Sequence, residues 1–380
     1  MLRTSSSLRK ASVFAACFLA VALLLAVGAV PAAAAEKPIM QSVTPTQGQA
    51  GDTVYVSGWE FGASPSGSTL TFNGVVVPYP KISYWADNLI VATVPDGATT
   101  GPVVVTTAEG PSNTDVIFTI TAGPAQTWYL AEGSTLHGFD TYVLMANPNA
   151  SAATVNVVYN TNLGRIPRPV PITVPANSRV TLHVSNDVPN VEVSTILQAS
   201  VPIVAERAVY WNDRIEGTDS IGVTAGSKTW YLAEGSTSHG FETWVLIQNP
   251  GTAEANVTVT YMTSNGIVKK PTFPVAAGQR YTIDVGRDVG FCDVSTKVES
   301  DQDIVCERSM YWDARRGGHD SIGVTSPSRT WYLAEGSTAW GFETYLLIQN
   351  PSETKPASVN VTYMTRFGPA YEPAFIMGPG

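Results

Sequence analysis

The chain has 380 residues, with 22 Lys and Arg against 31 Asp and Glu, a net charge of −9 and a charged fraction of 14%. Nucleic acid and anionic membrane surfaces are excluded as favoured partners, because both repel an acidic chain at long range. Its 32 glycines and 26 prolines, with abundant Thr and Val, are the composition of short strands and tight turns.

Residues 1–35 read as an export leader. Arg3, Arg9 and Lys10 form a positive n-region, Val13 to Val30 is an unbroken apolar or small-residue run, and Ala33-Ala34-Ala35 offers a cleavage site before Glu36. A retained anchor is the alternative, since the run is nearly long enough to span a bilayer. Cys17 follows Phe14-Ala15-Ala16, without the leucine usual in a lipoprotein signal. No second run of membrane length occurs, so the expected product is secreted or envelope-associated, with no transmembrane span after cleavage between Ala35 and Glu36.

The segment from residue 37 to 121 breaks into short β-rich runs every 8–12 residues, separated by Gly, Pro and Asn. That pattern predicts an antiparallel sandwich. Three features stand in order: Pro45-x-x-Gly48-x-x-Gly51, then Val54-x-Val56-x-Gly58, then Gly101-Pro102-Val103. In that order they resemble the IPT/TIG family. The resemblance covers nearly the whole segment and implies an early-set immunoglobulin-like sandwich of the kind used on bacterial surfaces and beside carbohydrate-active modules. It brings no catalytic residues.

After the linker Gly123-Pro124-Ala125, the phrase Thr-Trp-Tyr-Leu-Ala-Glu-Gly-Ser-Thr occurs three times, starting at Thr127, Thr229 and Thr330. Asn147-Pro148, Asn249-Pro250 and Asn350-Pro351 recur in register, as do Tyr159, Tyr261 and Tyr363. A repeat this long exceeds solenoid periods, so each unit can enclose its own core. The units run over residues 126–226, 228–327 and 329–380. Alternation such as Val155, Val157, Tyr159 and Val257, Val259, Tyr261 predicts strands with one buried face. Separate strands are expected at 193–199 and 203–211, with counterparts in the second unit. The whole is expected to be all-β, a row of tandem sandwiches. Gly380 aligns with Gly278, so the third unit is expected to be a half-repeat from a longer reading frame.

Trp230-x-x-Ala233-Glu234-Gly235, Leu246 to Pro250, Val275 to Arg280 and Ile304 to Arg308 together are loosely similar to the sensory-rhodopsin-transducer family of β-sandwiches. That resemblance implies a small-ligand or sugar site without fixing the partner or assembly. The repeats more closely resemble domains of uncharacterised secreted actinobacterial-type proteins.

Cys292 and Cys306 fall in the second repeat, where the first has Val191 and Ala205, so the fold does not require cysteine. Export favours oxidation, and a disulfide closing that loop would add roughly 3 kcal/mol. Two buried free thiols are the alternative. No histidine cluster stands near for a metal, and no cofactor motif appears.

Glu132, Glu234 and Glu335 share one slot, and Asp140, Glu242 and Glu343 another. Paired carboxylates suit a glycosidase, but three adjacent active sites make a turn carboxylate and a solvated acid the better reading. Arg207 sits on the strand face of Ile203 and Val209, and an arginine there calls for an ion pair or a place at the sandwich mouth. His137 and His239 correspond to Trp340, an exchange that fits a flat ring contact and not a catalytic imidazole. The remaining Trp and Tyr residues fit core packing or a carbohydrate platform.

The sequence therefore points to a non-enzymatic, secreted or envelope binding and adhesion protein whose candidate partner is a surface glycan. Its candidate ligand residues are His137, Asp140, His239, Glu242, Trp340 and Glu343, in Gly-rich turns where backbone can approach a ligand. Repeated weak sites would gain by avidity. A structural stalk, or the non-catalytic arm of a secreted hydrolase, is the alternative.

Overall fold

The computed structural model describes residues 36–95, 97–121 and 123–380, so the leader and Ala35 lie outside the described residues. No helix among the described residues is long and apolar enough to cross a membrane.

The first unit is a sandwich. One sheet orders Ile39–Thr44, Thr53–Trp59, Leu89–Thr93 and Ile82–Ala86; the other carries Ile117–Ile120, Gly101–Thr107 and Thr69–Phe72. Val54 and Val56 alternate inward and meet Ile90, Leu70, Phe72, Val103 and Phe118 in one core. Gly58 is required because a Cβ there would lie 2.0 Å from the Ile39 carbonyl oxygen.

The next two units repeat one topology. In the first, the sheet order is Gly164–Pro167, Ala153–Thr161, Val193–Trp211, Asp140–Asn147 and Ser178–His183. The second has Gly266–Lys269, Ala255–Thr263, Val294–Trp312, Glu242–Gln248 and Arg280–Asp284 in the same places. The two strands expected at 193–199 and 203–211 are one 19-residue strand. Residues 193–199 pair with Ala153–Thr161, and residues 204–210 with Asp140–Asn147, so this strand belongs to both layers. Ser200 to Pro202 form the corner where it changes sheet, the place a sandwich tolerates a residue without a backbone N–H.

The opening tryptophan of each complete repeat anchors that corner from inside. Trp128 and Trp230 are buried, and each indole N–H donates at 2.8 Å to the corner carbonyl, that of Ile203 or Ile304.

The expected Cys292–Cys306 disulfide is corrected: both cysteines are free and buried in the second core. Cys292 lies two residues before, and Cys306 far along, the single strand Val294–Trp312. A strand advances about 3.3 Å per residue, so its two ends diverge where two neighbouring strands would have met.

The third unit differs. Residues 342–350 belong to no strand, whereas their counterparts Glu242–Gln248 lie between two.

Candidate functional site

In the first repeat, Phe139 N–H donates to Leu136 O at 2.9 Å across a two-residue turn of His137 (φ 53°) and Gly138 (φ 83°). Positive φ at both central residues is the type I′ pattern. Thr141 locks the turn, its hydroxyl donating to Ser134 O at 2.7 Å and accepting from Ser134 N–H at 2.9 Å. The same left-handed pair recurs at His239-Gly240 and Trp340-Gly341. The slot singled out from sequence is thus an exposed turn tip where a bulky ring is held left-handed in every copy, a conformation that costs about 1–3 kcal/mol for a residue other than glycine.

A second strained turn faces it. Asn212, Asp213 and Arg214 all have positive φ, as do Asp313, Ala314 and Arg315 in the second repeat. His137, Asp140, Asn190, Asp213 and Arg214 line one cleft of about 410 Å³, floored by Thr135, Gly138 and Phe139. The structure therefore brings His137 and Asp140 together and adds three residues the sequence reading missed. For Asp213 and Arg214 the signal is the Asn-Asp-Arg and Asp-Ala-Arg steps in register after Tyr210-Trp211 and Tyr311-Trp312; Asn190 carries none.

Asp140 is fully engaged. Its carboxylate accepts from Tyr142 OH at 2.8 Å, Ser185 Oγ at 3.0 Å and Arg214 Nη2 at 2.7 Å, and pairs with His183 Nε2. His183 stacks on Tyr142 with centroids 4.5 Å apart. Burial pushes the Asp140 carboxyl up, but the bonds from Arg214, Tyr142, His183 and Ser185 outweigh it and bring it down to about 2. It is a fixed anionic acceptor, the opposite of the raised carboxyl a glycosidase acid requires.

The second repeat keeps the acid–arginine pair but carries its arginine into contact with the first repeat. Glu242 accepts from Arg315 Nη2 at 2.7 Å, and Arg315 lies over Phe139 of the first repeat as well as over Trp244 and Tyr311. Trp340 and Glu343 stand in the exposed third unit, Glu343 accepting from Tyr345 OH at 2.9 Å.

The shared-phrase acid has another role. Glu132 is buried, and its Oε2 lies 3.0 Å from Arg207 Nη1. Arg207, wholly buried on the apolar face as its alternation implied, also pairs with Glu307 at 2.8 Å and with Asp320, both from the second repeat. Glu307 Oε1 accepts from Ala131 N–H at 2.7 Å. Arg280 crosses in the other direction, donating to the carbonyl oxygens of Gly133 and, at 2.8 Å, Val193. Trp211, Tyr311 and Val209 cluster beside this network, and Ala131 packs into the second core. The turn-carboxylate reading of Glu132 gives way to an ion cluster joining two repeats.

Burial raises the Glu132 carboxyl to about 7, against the opposing pull of Arg207, with Asp320 and Glu307 adding repulsion. Between the ordinary carboxylate range and about 7, the folded state holds a proton that the unfolded chain has released. Stability from this group is therefore complete at acidic pH and is lost as pH rises through that window. The melting temperature should be lower at about pH 8 than at about pH 5.5, and Glu132→Gln should remove most of that slope.

Among solved structures, the Thermotoga maritima protein 1070 is 16% identical, covering 27% of this chain and 96% of its own, with a TM-score of 0.25. An auxiliary nutrient binding protein from Bacteroides ovatus is 19% identical over 31% of this chain and 30% of its own, with a TM-score of 0.21. SGBP-B, from a complex xyloglucan utilization locus in Bacteroides uniformis, is 10% identical over 44% and 73%, with a TM-score of 0.19. Scores this low say nothing of ligand or activity. Among curated proteins there is no match. Residues 38–120 match the IPT/TIG domain, in agreement with the first sandwich. Residues 117–320, more than half of the chain, span the first repeat, nearly all of the second and their ion cluster and match the family of unknown function DUF5719, and the chain belongs to that family.

Proposed function

We propose that this chain is a non-catalytic binding protein, secreted or held at the cell envelope, whose first repeat holds a glycan in the cleft at His137, Asp140, Asn190, Asp213 and Arg214. The observation that carries this reading is the convergence of two strained turns on one polar cleft of ligand size. Asn190 offers donors and acceptors, Asp213 acceptors, and Arg214, held in place by Asp140, further donors, a set that matches vicinal hydroxyl groups. The exposed ring of His137 supplies a flat face. Asp140, ionised at neutral pH, positions Arg214 and is not a proton donor.

A glycan array probed with the full chain, followed by calorimetry on the best hit, tests this. Combined His137→Ala and Asn190→Ala substitutions should weaken the hit by at least about tenfold, about 1.4 kcal/mol. His239→Ala, in the repeat where Arg315 is drawn into the inter-repeat contact, should leave it unchanged. No retained glycan, or equal retention by the double variant, would sink the binding reading. The stalk would then stand ahead, and the buried Arg207 cluster favours that second reading because it fuses two sandwiches into one stiff body.

A further inference from the structure

The four-stranded sheet of the first unit has one face in the core and one in water. Along Thr53–Trp59 the buried residues are Val54, Val56 and Gly58, so Tyr55, Ser57 and Trp59 point to the water side. Register places Thr44, Tyr55, Val91 and Tyr84 in one row across the sheet, and Ser42, Ser57, Leu89 and Ala86 in the next. Ile39 and Trp59 pair in a third row. Tyr55, Trp59 and Tyr84 are 52%, 51% and 52% exposed, and Ile39 is 48% exposed, so these side chains stand open to solvent.

An antiparallel sheet with one solvated face ordinarily turns polar and charged side chains to that side. Here the strands Ile39–Thr44, Thr53–Trp59, Ile82–Ala86 and Leu89–Thr93 contain no Asp, Glu, Lys or Arg. Large rings gathered at the surface without charge mark a binding face. The missing charge also narrows the occupant. A protein partner is oriented and selected by charge complementarity, and these strands supply none. An acidic polymer would meet no cation on them and would be repelled by a chain of net charge −9. A neutral polymer with flat rings and hydroxyl groups suits the face. From strand geometry, the Tyr55 and Tyr84 positions stand about 10 Å apart and those of Tyr55 and Trp59 about 13 Å apart. A single sugar cannot touch all three, but a chain of sugars can.

We propose that this face is a platform for an extended neutral polysaccharide, separate from the cleft of the first repeat. Tyr55, Tyr84 and Trp59 each take the C–H side of a pyranose on a π face. The Ser42 and Ser57 hydroxyls, 2.7 Å apart between the two ring rows, exchange hydrogen bonds with the sugar hydroxyls beside them. Each stack is weak, and the grip comes from engaging several rings of one chain at once.

The test uses the full chain carrying His137→Ala and Asn190→Ala, which silences the cleft, in native gels containing hydroxyethyl cellulose. The failure of the cleft reading therefore leaves this result untouched. Retardation is expected in hydroxyethyl cellulose and not in the anionic polygalacturonate. Adding Tyr55→Ala and Tyr84→Ala should weaken the retardation at least about tenfold, without lowering the melting temperature. Tyr55→Phe with Tyr84→Phe should keep it, because the ring and not the phenol makes the contact. Tyr332→Ala, which removes an exposed ring of the third unit, should leave it unchanged. No retardation by hydroxyethyl cellulose overturns the proposal, as does equal retardation of the alanine pair or equal retardation by polygalacturonate. So does a wild-type dimer in sedimentation velocity that the alanine pair dissociates, since the face would then join two copies of the chain.

Discussion

Replacing Arg207 by alanine is expected to cost about 3–5 kcal/mol, the range for removing one partner of a buried ion pair and leaving the other uncompensated. Three carboxylates, Glu132, Glu307 and Asp320, surround this guanidinium, and each is 5% exposed or less at its side chain. Without it they face one another in a dry interface, so at least one must protonate or the junction must open to water. In calorimetry the shared transition of the two repeats should split in two, and the junction should become sensitive to limited proteolysis. Arg308→Ala is the internal control. Its guanidinium meets Glu234 at 2.8 Å, but that carboxylate is 23% exposed and can rehydrate, so the loss should be clearly smaller. A single sharp transition in Arg207→Ala, with wild-type stability, would show that the cluster does not join the repeats.

The second large effect is expected from Trp230→Ala, again about 3–5 kcal/mol. Trp230 is 1% exposed and ties the sheet-switching corner through its indole N–H. The variant therefore creates a large cavity and also frees the Ile304 carbonyl inside the core. Trp331→Ala changes the same letter of the same phrase, yet that indole is 55% exposed and donates only to the nearby Ser328 carbonyl at 3.1 Å. Its effect should stay within about 0.5 kcal/mol. Parallel urea titrations separate the two, and similar losses for both tryptophans would mean that the third unit is as well packed as the second.

Local patterns carried the architecture because the forces that choose a strand and its buried face act over neighbouring residues. The alternation in Val155 to Tyr159 and the glycines of Pro45 to Gly58 state which side chains turn inward and where backbone must pass closely. Period-two patterning cannot tell two strands from one that bends between sheets, so the long strand at Val193–Trp211 has the sequence pattern of a pair. The disulfide inference failed with it.

At the candidate site, the Gly-rich turn at His137 and the acid at Asp140 were legible because turn residues and their spacing are local signals. Asn190, Asp213 and Arg214 come from distant stretches and meet that turn only when the two layers close. For Arg207, alternation alone placed a charge on an apolar face and so required a partner. Which partner is a matter of packing between repeats. Glu206 and Glu307 occupy one sequence position, yet the first is exposed and the second wholly buried, because only the second repeat has a neighbour on that face. The sequence by itself determined the sandwiches, their repetition and the need to pair Arg207. Tertiary structure alone decided which carboxylates answer it and which turns converge on a cleft, since desolvation and contact depend on what is brought alongside, and identical residues differ in both.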